Sequence, residues 1–186
     1  VRLLILGLML SQPRSLYDLH SQFRAGLSHI YAASYGSIHR ALRQLHDAGD
    51  VDVVEAADSS RKKKQYLATG QGRRAWFEWM KQPHAAEDSE ASMLARVLLL
   101  DLLDEPQDRR EVLRALHQRA VDDLEEIRAI NVATGVPEGA AHPPRYPRAA
   151  LEYGVRTSEG AVAWLAELLA ELVPATGAEN GRTEDR

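Results

Sequence analysis

The stretch ASYGSIHRALRQLHDAGDVDVVE, Ala33 to Glu55, decides how the rest of the chain is to be read. Ser34 is a good helix N-cap, since its hydroxyl can accept a hydrogen bond from an orphan N–H group of the first turn. Ile38, Ala41, Leu42 and Leu45 then recur at i, i+3, i+4 and i+7, which places them on one stripe of a helix and makes that stripe the buried one. Gly49 supplies the C-terminal stop. The opposite side of the helix carries Gly36, Arg40 and Arg43, flanked by Ser37, His39 and Gln44. This face is rich in hydrogen-bond donors, with a gap at the glycine. Two arginines on an arbitrary helix ordinarily mark a solvated surface, so the neighbouring elements must decide what the face is for.

Upstream, Leu3 to Leu10 is apolar nearly all round and predicts a helix buried among others, ended by Gln12 and Pro13. Ser15 can cap a second helix with Leu16, Leu19 and Phe23 on its apolar side and Gly26 as its stop. Downstream, DVDVVEA alternates Asp50 and Asp52 with Val51 and Val53 and reads as a strand, and KQYLAT reads as a second. DSSRKKK joins them. The hairpin therefore has the basic run Arg61, Lys62, Lys63 and Lys64 at its tip and at the entry to its second strand.

Three helices followed by a two-stranded hairpin is the order of a winged helix-turn-helix, in which the third helix lies in the major groove of DNA and the hairpin reaches the backbone beside it. In that fold Arg40 and Arg43 meet base edges or phosphates, and Gly36 permits close approach. Ser37, His39 and Gln44 add donors and acceptors, with the cap residue Ser34 at the same helix end. Charge agrees with this. The net charge is −4, yet residues 1–82 hold 12 Lys+Arg against 7 Asp+Glu, and the remainder 11 against 20. A segregated basic segment suits an anionic partner.

Thr69 caps the next helix, where Ala75, Trp76, Trp79 and Met80 lie together as packing residues rather than a ligand cage. The polar break around Pro83 places a domain boundary there, giving a DNA-binding domain over 1–82 and a helical domain over 87–173. Within the second domain Ser89 or Ser92 starts a segment through Met93, Leu94, Val97, Leu98 and Leu102. Pro106 opens a long helix whose Leu113, Leu116, Ala120, Leu124, Ile127 and Ile130 form one stripe, ended by Gly135. GVPEGAAHPPRYP is a loop. In the last helix Leu151, Val155, Ser158, Val162, Leu165, Leu169 and Leu172 alternate steps of four and three, a heptad seam that packs lengthwise on another helix, within the chain or across a two-fold axis. The tail over 174–186 is expected to be disordered. The fold class is mainly α: an N-terminal winged helix-turn-helix of three helices and a β-hairpin wing, then an all-helical dimerisation domain.

Other chemistries find little support. The chain has no cysteine, so thiolate metal sites, disulfides and cysteine nucleophiles are excluded. No G-x-x-x-x-G-K or H-E-x-x-H occurs, and no serine, histidine and acid fall in a nucleophile motif. GQG at Gly70 to Gly72 follows a strand and opens a helix but lacks the third glycine and acidic partner of a dinucleotide fingerprint. His39 and His46 stand one heptad apart without a third metal ligand. No enzyme activity, metal or cofactor is expected. LLILGLML is too short to span a bilayer and has no cleavage pattern, so the expectation is a cytoplasmic protein with no membrane partner. The rival reading is a winged-helix adaptor that binds protein instead of DNA. A cationic helix face and a cationic wing on the same side argue against it.

LILGLMLSQPRSLYDL, SYGSIHRALRQL, AGDVDVVE, the basic hairpin and YLATGQGRRAWFEW together resemble the PadR family of bacterial transcriptional regulators, in order and with similar spacing over residues 3–82. The helical remainder is similar to the C-terminal dimerisation domain of that family's larger members. The resemblance implies a homodimer on double-stranded DNA at a near-palindromic operator, usually a repressor, often released by a small hydrophobic effector. It also implies DNA contacts at Tyr17 in the second helix, at Tyr35 and Ser37 in the third, and along the wing cations. His39-Arg40 stand where the family commonly has Tyr-Pro, and Ser59-Ser60 where the wing often has a glycine; these departures bear on operator sequence and wing conformation. An effector pocket is expected between the wing domain and the C-terminal helices, near Trp76, Trp79 or Trp164.

Overall fold

The computed structural model describes residues 1–28, 30–55, 64–83, 90–133 and 145–172. The elements in chain order are α1 (Arg2–Gly7), α2 (Leu16–Gln22), a π-helical turn (Phe23–Leu27), α3 (Tyr35–Asp47), β1 (Val51–Glu55), β2 (Lys64–Ala68), α4 (Gly70–Lys81), α5 (Glu90–Leu98), a 3₁₀ turn (Leu100–Leu102), α6 (Pro106–Ala133) and α7 (Arg145–Glu171). Three helices and a hairpin thus precede a helical remainder, as the sequence predicts. No helix among the described residues is long and apolar enough to cross a membrane.

The chain packs as two compact units, Val1–Val112 and Leu113–Arg186. The expected domain boundary between 82 and 87 is a division by composition; the division by packing falls inside α6. In the first unit α1 packs on α3 and α4, and α2 packs on α3 and β2. The core joins Ile5, Leu6 and Met9 of the first segment to Leu19, Phe23, Ile38, Leu42 and Leu45, all no more than 1% exposed. Gly7 allows this closeness: a Cβ there would lie 2.6 Å from Leu99 Cδ1 and 2.7 Å from Trp76 Nε1.

The caps fix the short helices. Ser15 and Asp18 form a reciprocal capping box at the start of α2, with Asp18 Oδ2 accepting from the Ser15 N–H at 2.9 Å. Gly26 does not stop α2, contrary to the sequence expectation. A glycine stop requires a left-handed backbone, and Gly49 is the described glycine that has one, at φ 76°. Gly26 instead sits within the π-helical turn that prolongs α2 to Leu27.

β1 and β2 pair antiparallel with Val51 opposite Ala68 and Glu55 opposite Lys64. Arg14 adds a third line to this sheet: its N–H donates to the Tyr66 carbonyl at 3.0 Å and its carbonyl accepts from the Tyr66 N–H at 2.8 Å. Thr69 caps α4 by accepting from the Gly72 N–H at 3.0 Å. Trp76 and Met80 of α4 are buried, and Trp79 lies beneath the buried Arg96 guanidinium, 5.1 Å from the ring centre. That confirms a packing role for these tryptophans.

In the second unit the α6 stripe is buried at Leu113, Leu116, Ala120 and Leu124, while Ile130 is exposed. α7 begins earlier than expected, at Arg145, and takes Pro147 into its first turn. A proline is tolerated there because first-turn N–H groups have no intrahelical partner to lose. Arg128 of α6 and Glu159 of α7 form an ion pair at 2.6 Å. The expected stop at Gly135 and the tail over 174–186 lie outside the described residues.

Candidate nucleic-acid interface

α3 is built as its sequence demands. Ser34 Oγ accepts from the Ser37 N–H at 3.2 Å, and the Ser37 hydroxyl donates to the Ser34 carbonyl at 2.8 Å. At the other end the Asp50 N–H reaches the Leu45 carbonyl at 2.9 Å and the Gly49 N–H reaches His46 at 2.9 Å, the paired bonds of a Schellman stop. Between these caps Ile38, Ala41, Leu42 and Leu45 are at most 3% exposed. Gly36, His39, Arg40, Arg43 and Gln44 lie exposed on the far side, with Ser37 half-buried. Neither Arg40 nor Arg43 forms an ion pair with a described residue. Their guanidinium groups are free to meet a partner, whereas the hydroxyls of Ser34 and Ser37 already serve the cap.

Tyr17 and Tyr35 stand out as exposed aromatics, 70% and 51% accessible. A connection the sequence reading missed links them. His20, one turn after Tyr17 on α2, meets Tyr35 edge-on with ring centres 5.4 Å apart. The histidine thereby orients the tyrosine at the entrance to α3. Only the spacing of Tyr17 and His20, i and i+3 on one helix face, hinted at this.

The turn from α3 into β1 is held from α4. Gln71 Nε2 donates to the Ala48 carbonyl at 2.6 Å, and the Thr69 hydroxyl donates to the Gly49 carbonyl at 2.8 Å. These bonds fix where the C-terminal end of α3 points relative to the sheet. GQG is therefore a packing motif: Gly72 lies against the Asp50 carbonyl with no room for a side chain. Of the wing cations, Lys64 is exposed at the start of β2, opposite Glu55. Arg61, Lys62 and Lys63 lie outside the described residues. Among the described residues no group of three histidine or acidic side chains is placed to hold a metal ion.

The seam residues Leu151, Val155, Val162, Leu169 and Leu172 are half-buried, and Leu165 is fully buried. A helix stripe left half-covered in one chain retains apolar surface for further packing.

Residues 91–173 match the family model described as virulence activator alpha C-term. No curated protein matches the chain in sequence. Among solved structures, the chain is similar to Bacillus subtilis PadR in complex with operator DNA, at 21% identity over 92% of this chain and 98% of that one, with a TM-score of 0.42. It is similar to the virulence activator AphA of Vibrio cholerae at 22% identity over 92% and 96%, with a TM-score of 0.40. The PadR-like regulator of Bacillus cereus gives 21% identity over 92% and 96%, with a TM-score of 0.40. The winged-helix half of this chain carries the motifs that resemble PadR regulators, and its helical half matches the virulence activator alpha C-terminal family.

Proposed function

We propose that the chain is a sequence-specific DNA-binding transcriptional regulator of the PadR type. It works as a homodimer on a near-palindromic operator, represses from it, and leaves it when a small hydrophobic effector binds. The observation that carries this reading is the exposed row His39, Arg40, Arg43 and Gln44 on α3, opposite a stripe at most 3% exposed. A helix so capped and so backed is a rigid support for side chains that read a groove. The unpaired state of Arg40 and Arg43 favours a nucleic acid over a protein adaptor role, because an anionic lattice gains most from free guanidinium groups.

Dimerisation follows from the half-covered seam of α7. A single winged helix spans one half-site, and two recognition helices must stand about 34 Å apart to read both halves of an operator. Repression as the sign of control comes from the family resemblance, and the matched family's description as an activator makes transcription the readout that decides it. Selection of bound genomic fragments, followed by gel retardation at several salt concentrations, tests the DNA reading. Retention of discrete fragments over random duplex is expected. Equal, weak retention of all fragments would return the helix face to an ordinary solvated surface.

A further inference from the structure

A cavity of about 470 Å³ opens inside the first compact unit, walled by Leu8, Leu27, Leu98, Leu99 and Leu102. Its lining also includes Arg14 and Gln22, each with a buried atom that has no hydrogen-bond partner among the described residues: Arg14 Nε, a donor, and Gln22 Oε1, an acceptor. Buried polar atoms are nearly always paired. One donor and one acceptor left open on the walls of an otherwise leucine-lined cavity are what a preformed ligand site shows in the absence of its ligand. Water alone is a poor occupant, since a few water molecules would satisfy the two polar atoms and leave the apolar walls wet.

We propose that this cavity binds a small amphipathic carboxylate bearing a hydroxyl, and that its occupancy is passed to the DNA-binding surface through Arg14 and α2. The carboxylate meets the Arg14 guanidinium, whose planar fork matches it. The ligand hydroxyl donates to Gln22 Oε1, and the apolar body lies among the leucines. Asp101 also borders the cavity, but its side chain is fully exposed and stands 4.0 Å from Arg109. Solvent and that guanidinium both screen it.

The route outward is built into the same residues. Arg14 pairs through its backbone with Tyr66 of β2, so the residue that holds the carboxylate also belongs to the wing sheet. Gln22 is the last residue of α2, and the adjoining π-helical turn supplies Ala25, Gly26 and Leu27 to the cavity wall. π-turns recur at functional sites because they break helical regularity where a side chain must be re-aimed. The other end of α2 carries Tyr17, and its His20 orients Tyr35. A ligand that binds one arrangement of these elements better than another shifts the interface by that difference in affinity. The regulatory half of the inference rests on the DNA-binding reading; the binding half does not.

The test uses the full-length protein and two probes of different shape, 6-hydroxy-2-naphthoate and 10-hydroxydecanoate, each beside its carboxamide, by titration calorimetry without DNA. At least one acid binds tenfold or more tighter than its amide. Arg14→Gln keeps the backbone bridge and removes the preference, so acid and amide bind within twofold of each other. Gly26→Phe weakens both, because a Cβ at Gly26 meets no atom within 4 Å and the ring can occupy cavity space. Acid and amide binding wild type equally, or neither binding at millimolar concentration, overturns the site. Amide exchange at Arg14 and Tyr66 changes threefold or more when the acid is bound; unchanged exchange overturns the route to the wing. Wild-type affinity for selected DNA shifts with the acid and that of Arg14→Gln does not. Should wild type bind no DNA at any salt concentration, the DNA-binding reading fails by itself while calorimetry still decides the cavity.

Discussion

Gly72, in the first turn of α4, packs directly on the carbonyl oxygen of Asp50, the residue that links the end of α3 to β1. A side chain at 72 would have to displace backbone, which cannot give way as a flexible side chain can. Gly72→Ala is expected to destabilise the protein by about 1–3 kcal/mol, the usual cost of overpacking a close contact. Gly70→Ala is the control, since its Cβ would meet only Arg74 Nη1 at 3.8 Å. Urea unfolding measures both. Equal stability of the two variants would contradict the contact.

Lys81, at the end of α4, donates to Asp108 at 2.7 Å and lies 3.0 Å from Glu111, tying α4 to the start of α6. Hydrogen bonding to Asp108 and Glu111 raises the lysine above its ordinary value of 10.5. The bond from Lys81 lowers Glu111 below 4.5. The Glu111 share of stability is thus present above its unfolded pKa and lost as pH falls through its lowered folded value. The Lys81 share is present below its unfolded pKa and lost as pH rises through its raised one. Lys81→Met should lower the melting temperature slightly at neutral pH, with the two proteins converging under acid. Both partners face solvent, so a large difference would contradict a surface clamp.

How much of this was legible in the sequence depends on how local each signal is. Ser34, the Ile38 to Leu45 stripe and Gly49 act within a few residues of themselves, and α3 is where they place it. Thr69 as a cap is legible for the same reason. Gly26 misleads because a glycine stops a helix only with a left-handed backbone, which composition does not reveal. Pro147 misleads in the other direction, since a first-turn proline looks like a loop residue. His20 against Tyr35, and Arg14 against Tyr66, join segments distant in sequence and leave no periodic trace. Polar cavity walls are invisible for that reason too: nothing in the order of residues brings Gln22 and Arg14 to Leu99.

Replacing His20 tests the tyrosine's role at the interface. His20→Ala removes an edge-on ring contact of a kind worth about 0.5–1.5 kcal/mol and frees Tyr35 to reorient. Operator affinity should fall a few-fold with the salt dependence unchanged, because no phosphate contact is lost. Fluorescence anisotropy at two salt concentrations reads both; an unaltered affinity would remove Tyr35 from the interface.

The α7 seam offers a direct test of assembly. Leu169 is half-buried, whereas Leu165 is fully buried within the chain and its replacement would disturb the fold itself. Leu169→Asp should therefore give folded monomers in sedimentation velocity at micromolar concentration, with weaker binding to a two-half-site operator. A wild type that sediments as a monomer would contradict a dimer held through this helix.

The central claim is that α3 reads bases while the wing holds the backbone, so the two cationic groups should fail differently. An arginine that bonds guanine O6 and N7 together contributes about 1–3 kcal/mol of discrimination. A wing lysine meets a phosphate as a point charge and carries no sequence information. The deciding measurement is the affinity of wild type, Arg40→Ala, Arg43→Ala and the triple variant Lys62, Lys63 and Lys64→Ala for operator and scrambled duplex across a range of salt. The arginine variants should lose more affinity for operator than for scrambled DNA. The lysine variant should weaken both alike and flatten the log–log salt dependence by about 0.9 for each phosphate contact removed. If instead Arg40→Ala and Arg43→Ala leave both affinities unchanged, the exposed face of α3 reads nothing and the account is wrong at its centre.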